Sequence, residues 1–205
     1  MVKQERAART RHTLVQNAAA LFDRQGYAAT SLAQITKLTG GISAGALNFH
    51  FSSKAELAQA VSAAGHEAVA CALDALDADG APLDQLVELT LTLARLLDTD
   101  DTVRASVRLE RELPVEVSSS RLWLTRVDVL LQQAYEAGQL QPKATPETVA
   151  GLVTHLVAGT EARVRRLRTD RPGTDTDAVT STDAVALLDD IWHLVLPGVA
   201  ATPGR

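Results

Sequence analysis

Serine, glutamine, asparagine and histidine side chains crowd the stretch Thr30 to Phe51, TSLAQITKLTGGISAGALNFHF, with Arg9 and Arg11 before it and Lys54 after it. Such groups donate and accept hydrogen bonds and carry positive charge, the equipment for gripping a phosphate backbone and reading base edges. The chain contains no nucleophile elbow, phosphate loop, zinc spacing or motif of paired carboxylates. His155 and Glu161 are six residues apart, outside the i,i+4 spacing of a helical metal pair. We therefore expect no catalytic residue, no metal and no cofactor.

The elements that must hold these side chains are short helices. Ser31 and Gln34 have the spacing of a capping box, so a helix starts there, and Leu32, Ile35 and Leu38 recur on one face. Gly40-Gly41 ends it, and Ser43 caps a second short helix through Leu47. Helix, glycine turn and helix is the arrangement that holds a recognition helix in the major groove, although a helical hairpin in a core has the same turn. The surroundings favour the first reading. Upstream, Leu14, Ala18, Leu21 and Phe22 form an apolar face that ends at a Gly26 C-cap, with Arg6, Arg9 and Arg11 ahead of it; downstream, Ser53 and Glu56 open a long helix with a second capping box. Residues 1–54 carry seven Lys/Arg against two carboxylates, net +5, while the remainder carries 13 against 23, net −10. A positive head on an acidic body suits a protein that touches phosphates at one end.

In this order of motifs residues 6–60 resemble the TetR family of bacterial repressors. The carriers are the basic first helix with Phe22 and Gly26-Tyr27, Thr30-Ser31-Leu32, Gly45-Ala46-Leu47 with Phe49-His50-Phe51, then Ser53-Lys54 and Leu57. The resemblance implies a three-helix DNA-binding domain over residues 1–53, with Arg9, Arg11, Thr30, Ser31, Ser43, Ala44, Gly45, Asn48, His50 and Lys54 at the DNA. His50 also fits a packing role within the aromatic cluster. The chain departs from the family pattern in two ways. One extra residue stands between Ile35 and Gly45, and Ala44 and Asn48 replace the usual lysine and tyrosine. A looser turn and weaker or altered DNA binding are expected, with Asn48 reaching a phosphate or base edge and Ala44 offering apolar contact, as to a thymine methyl.

At 205 residues and 46% hydrophobic composition the chain is long enough for a small domain and a larger one without disulfides. Beyond residue 53 every periodic segment reads as helix. The first runs to near Asp79, followed by PLDQLVELTLTLARLLD, DDTVRASVRLEREL, 118–137, 145–168 and Asp183 to Leu196, the last stopped by Pro197-Gly198. The polar stretch 168–183 reads as a loop. Cys71 reads as a small core residue in a reducing compartment. With no signal peptide and no apolar run of membrane length, a cytoplasmic protein without a membrane partner is expected.

More narrowly, the chain resembles the γ-butyrolactone autoregulator receptors of the same family, through Phe49-His50-Phe51, Leu93-Ala94-Arg95-Leu96, Val103-Arg104-Ala105, Arg108-Leu109, Trp123, Gly159-Thr160 and Ile191-Trp192. That resemblance implies an all-α ligand-binding and dimerisation domain over residues 54–200. Trp123 would line its pocket, Thr160 would bond a lactone, and Leu93, Val127 and Leu131 would complete the apolar wall. A polar residue that often assists the ligand would fall near Gly65, where it is absent. From the residues alone, Trp123 is equally a packed core side chain, and Trp192 suits packing or a dimer contact. The expected protein is a homodimeric repressor of a pseudo-palindromic operator, released by a small apolar signal such as a γ-butyrolactone, butenolide or furan. The alternatives are a regulator answering to an antibiotic or other metabolite, an effector-independent DNA-binding protein, and an enzyme.

Overall fold

The computed structural model describes residues 2–40, 42–77, 79–114, 118–169 and 183–201, so Gly41 and nearly all of the expected 168–183 loop lie outside the described residues. Among the described residues the secondary structure is helical, apart from one isolated bridge between Leu140 and Ala200. None of these helices is long and apolar enough to cross a membrane. The chain divides into two compact units, Met1–Val69 with Asp100–Ser119, and Ala70–Thr99 with Ser120–Arg205. This physical division differs from a break at 53/54, because helix α6 (Asp101–Glu112) joins the N-terminal unit.

In the first unit, α1 (Val2–Ala29), α2 (Leu32–Leu38), α3 (Ala44–His50), the N-terminal part of α4 (Lys54–Asp74) and α6 enclose one core. Leu14, Ala18, Phe22, Ile35, Leu47, Phe51, Leu57 and Val61 meet Ala105 and Leu109 there. Burying a residue of this size stabilises by roughly 1.5–3 kcal/mol relative to exposure. Helices α4 and α6 cross in close contact at Gly65. A Cβ at this position would lie 2.6 Å from both the Thr102 carbonyl oxygen and Ser106 Oγ, well inside contact distance. The missing polar residue thus has a physical cause: no side chain fits.

In the second unit, α5 (Pro82–Thr99) packs against α7 (Ser120–Glu136), α8 (Pro146–Thr169) and α9 (Ala184–Val199). Neighbours on several sides explain its nearly continuous apolar sequence. Trp192 is fully buried and its indole N–H donates to Thr90 Oγ1 at 2.7 Å, which identifies it as a packing residue. The α7 stripe of Trp123, Val127, Leu130, Leu131 and Ala134 is buried as its spacing predicts.

Four local expectations are corrected. α4 ends at Asp74, short of Asp79, and Cys71 in its last turn is exposed and not a core residue. Leu38, predicted on the buried face of α2, is 53% exposed. α9 does not stop at Pro197 but continues to Val199. A proline in the last turn forfeits one helical hydrogen bond. The segment between α7 and α8 holds this terminus in compensation, with Gln141 Nε2 donating to the Pro197 carbonyl at 2.7 Å and the Gln141 amide to that of Val199 at 2.8 Å.

Candidate nucleic-acid interface

The helix-turn-helix is fixed by local side-chain chemistry. Ser31 Oγ accepts the Gln34 amide while Gln34 Oε1 accepts the Ser31 amide at 2.7 Å, a closed capping box. Thr39 ends α2 with its amide on the Ile35 carbonyl, and Gly40 follows at φ 60°, where a side chain would be strained. Ser43 caps α3 by accepting the Ala46 amide at 3.1 Å. Residues 39–43 separate the two helices, five positions where three or four are usual, in line with the extra residue in the sequence.

On α3 only Leu47 is buried, while Ala44, Gly45, Asn48 and Phe49 face solvent. Arg9, Arg11, Ser31 and Ser43 are exposed as well. Arg11 lies over the Phe51 ring, 5.1 Å from its centroid, and His50 is half-buried between Phe49 and Phe51. Two expected contact residues are placed differently. Thr30 is 2% exposed, and its hydroxyl donates to the Gly26 carbonyl at 2.8 Å. Lys54 donates to the carbonyls of Tyr27 and Thr30 at 2.7 and 2.8 Å, with its ammonium 4.1 Å from the Tyr27 ring centroid. Both fasten the link between α1 and α2. Sequence spacing alone does not show that the end of α1 engages both side chains.

The break in α1 at Gly26 (φ 81°, ψ 174°) leaves backbone groups without helical partners, and α6 supplies replacements. Glu112 Oε2 accepts the Tyr27 amide at 2.6 Å, and Arg108 donates to the Asp23 carbonyl at 2.7 Å and to Glu112 at 2.8 Å. A Cβ at Gly26 would fall 2.5 Å from Glu112 Oε1. Glycine is needed here for backbone shape, and any side chain would also displace the ends of Glu112 and Arg108. Burial opposes the charge on Glu112, but the hydrogen bonds from Arg108 and the Tyr27 amide outweigh it and hold its carboxyl below the usual range. Arg104, 6% exposed, reaches Asp23 Oδ2 from Nε at 2.8 Å and also binds Asp101. Glu110 takes His66 of α4 at 3.0 Å together with the Ser119 amide and Ser118 hydroxyl; burial again works against the charge, yet these donors keep its pKa lowered. Sequence reading missed Arg104, Arg108, Glu110 and Glu112 as supports. The i,i+4 pair Arg108–Glu112 was the one available signal.

In the second unit, two residues expected to share a pocket have different surroundings. Thr160 lines an open groove of about 160 Å³ between α8 and α9, with His155, Arg163, Leu187 and Ile191 among its neighbours and Trp123 not among them. The Thr160 hydroxyl donates to its own helix, at the Leu156 carbonyl. Trp123 is 8% exposed, and Val127, Leu131 and Leu93 are buried. Unlike Trp192, the Trp123 indole N–H meets no hydrogen-bond acceptor among the described residues.

A capped helix-turn-helix with an exposed recognition face, carried beside an independent all-helical unit, defines a one-component DNA-binding regulator. The comparisons agree. Residues 14–61 match the bacterial regulatory proteins of the tetR family. The crystal structure of TylP, a TetR regulator from Streptomyces fradiae, is 32% identical, with 96% of this chain and 89% of that one covered at a TM-score of 0.60. The A-factor receptor protein of Streptomyces griseus is 27% identical over 203 residues, 98% of this chain and 67% of that protein. A γ-butyrolactone receptor described as ArpA-like is 27% identical over 96% of this chain and 91% of its own, with a TM-score of 0.72. The chain belongs to the TetR family. It is a DNA-binding transcriptional regulator related to the γ-butyrolactone receptors, and not an enzyme.

Proposed function

We propose that the protein is a homodimeric repressor of a pseudo-palindromic operator, released by a small apolar molecule of the γ-butyrolactone, butenolide or furan type. The observation that carries the DNA half is the exposed α3 face, held in a helix-turn-helix whose two helices are capped at their N-termini by Ser31 and Ser43. Arg9, Arg11, Ser31, Ser43, Ala44, Gly45, Asn48 and His50 are the contact set, with Thr30 and Lys54 supporting them from within. In functional terms residues 1–53 read DNA and 54–200 bind ligand and partner. Pairing runs through α8 and α9, which leave Leu187 and Leu194 exposed, and symmetry then sets two copies of α3 at the spacing of successive major grooves.

The ligand half rests on Trp123, whose flat face suits a pocket wall and whose N–H has no acceptor among the described residues, with Leu93, Val127 and Leu131 buried in the same unit. Thr160 is a candidate only if a ligand reaches the α8–α9 groove. The chain passes between its two units three times, inside α4, at the Asp100 joint between α5 and α6, and at the start of α7, so displacement of these helices is transmitted covalently. A tenfold loss of operator affinity needs about 1.4 kcal/mol of ligand preference for the released state. The test is fluorescence anisotropy with inverted repeats from upstream of its own gene, titrated with salt and then with synthetic alkyl-γ-butyrolactones. The log of the affinity should fall steeply with log salt, by about 0.9 for each phosphate neutralised, and one lactone should release the DNA. Salt-independent binding, or binding to none of the repeats, contradicts the DNA assignment.

A second expected outcome concerns the missing cation. Ala44 is exposed at the first position of α3, so Ala44→Lys restores a charge beside the backbone, tightens binding and steepens the salt slope by nearly one unit per half-site. A sharp loss of affinity in the same titration would show that Ala44 sits too close to the DNA to be enlarged.

A further inference from the structure

Ala44, Gly45, Asn48 and Phe49 form one solvent-exposed surface on α3, while Leu47 is buried and Ala46 and His50 are half-buried behind it. At 100° per residue the four exposed positions span a continuous arc of about 140°. Asn48 is the only one with a hydrogen-bonding side chain. Phe49 is 81% exposed, matched among the described large hydrophobics only by Leu194, and its one ring neighbour among the described residues is the edge of His50 at 5.2 Å between centroids. A Cβ at Gly45 would meet nothing nearer than Ser43 Oγ at 3.8 Å, so packing within the chain does not require a glycine. An apolar, partly side-chain-free surface around one amide is an unusual way to meet DNA, and in the major groove its chemistry has one counterpart. The thymine C5-methyl is the apolar group there, and adenine is the base that an asparagine pairs with through two hydrogen bonds.

We propose that this surface reads an A·T-centred half-site, Asn48 bonding N6 and N7 of one adenine while Phe49 and Ala44 pack on the methyls of flanking thymines. This rests on the operator-binding reading above and specifies the base composition that it leaves open. Phe49 then acts as a specificity-determining residue. The positive charge of residues 1–54 supplies affinity without sequence preference, and the apolar surface supplies the preference.

The experiment is selection of duplexes from a random pool by the full-length protein, followed by replacement of individual thymines with uracil in the selected half-sites. That exchange removes a methyl and leaves base pairing unchanged. The selected sites should share an adenine flanked by thymines, and uracil in both half-sites should weaken binding by roughly tenfold, in the range of a single lost base contact. Phe49→Ala should abolish the methyl dependence at one thymine, and Asn48→Ala should relax the choice of adenine. Selected sites that lack the A·T core, uracil duplexes that bind equally well, or a Phe49→Ala protein that still senses the methyl would each overturn the proposal while leaving operator binding intact. Failure to enrich any sequence would instead overturn the operator reading itself.

Discussion

Arg104→Ala should lower the stability of the protein by about 3–5 kcal/mol, the cost of removing one partner from a buried ion pair. Arg104 is 6% exposed and Asp23 14%, so solvent does little to replace the lost guanidinium. The loss falls on the contact through which α6 holds the C-terminal part of α1, beside the Gly26 break that Glu112 and Arg108 repair. Operator affinity should therefore fall along with the urea midpoint. A double-mutant cycle separates the pair from the packing of the arginine stem. Exchanging both residues for apolar ones, Asp23→Leu with Arg104→Met, should restore much of the stability, since a well-packed apolar replacement of a buried pair is often neutral or better. A loss below 1 kcal/mol for Arg104→Ala would place the pair with ordinary surface salt bridges.

What the sequence made legible is what neighbouring residues decide among themselves. The Ser31–Gln34 box, the Ser43 cap, the Gly26 break, the Pro82 start of α5 and the α7 stripe each depend on residues within a turn or two, and all are observed. The misreadings at Leu38, Cys71 and Pro197, and the engagement of Thr30 and Lys54 within the chain, concern which other part of the chain meets each residue. Lys54 has the type and position of a phosphate ligand, yet two backbone carbonyls 24 and 27 residues earlier take its ammonium. Pro197 is a stop signal by propensity, yet the helix runs two residues past it to an end whose carbonyls at Pro197 and Val199 are taken by Gln141. Gly65 looked like the loss of a ligand-assisting group, and only the approach of α6 shows that it is a steric requirement. The same limit applies to the ligand site. Helical spacing placed Trp123, Val127 and Leu131 on one face, but a shared pocket with Thr160 depends on how α7 and α8 are packed.

Trp123→Ala should leave operator binding intact and abolish release by the effector. Trp123 belongs to the second unit and Asn48, Phe49 and Arg11 to the first, so truncation does not touch the recognition surface. It removes a broad flat wall against which an apolar ligand tail would pack, together with an N–H for which no acceptor stands among the described residues. Truncating an aromatic side chain in a fully packed core costs about 3–5 kcal/mol, and less where one face of the ring borders a cavity. Melting temperature and effector response therefore separate the two roles. A shift of only a few degrees with complete loss of lactone-driven release is the expected result. Unfolding would make Trp123 a core residue, and unchanged release would move the search to the α8–α9 groove around Thr160 and Arg163. Arg163 Nε is buried there with no hydrogen-bond partner among the described residues and could meet a polar ligand group. Trp192→Phe is the matched control, because it loses the bond to Thr90 and keeps a ring in the core. It should lower stability by about 0.5–1.5 kcal/mol through the one lost hydrogen bond, since the Thr90 hydroxyl still donates to the Val87 carbonyl at 2.7 Å, and leave the effector response in place.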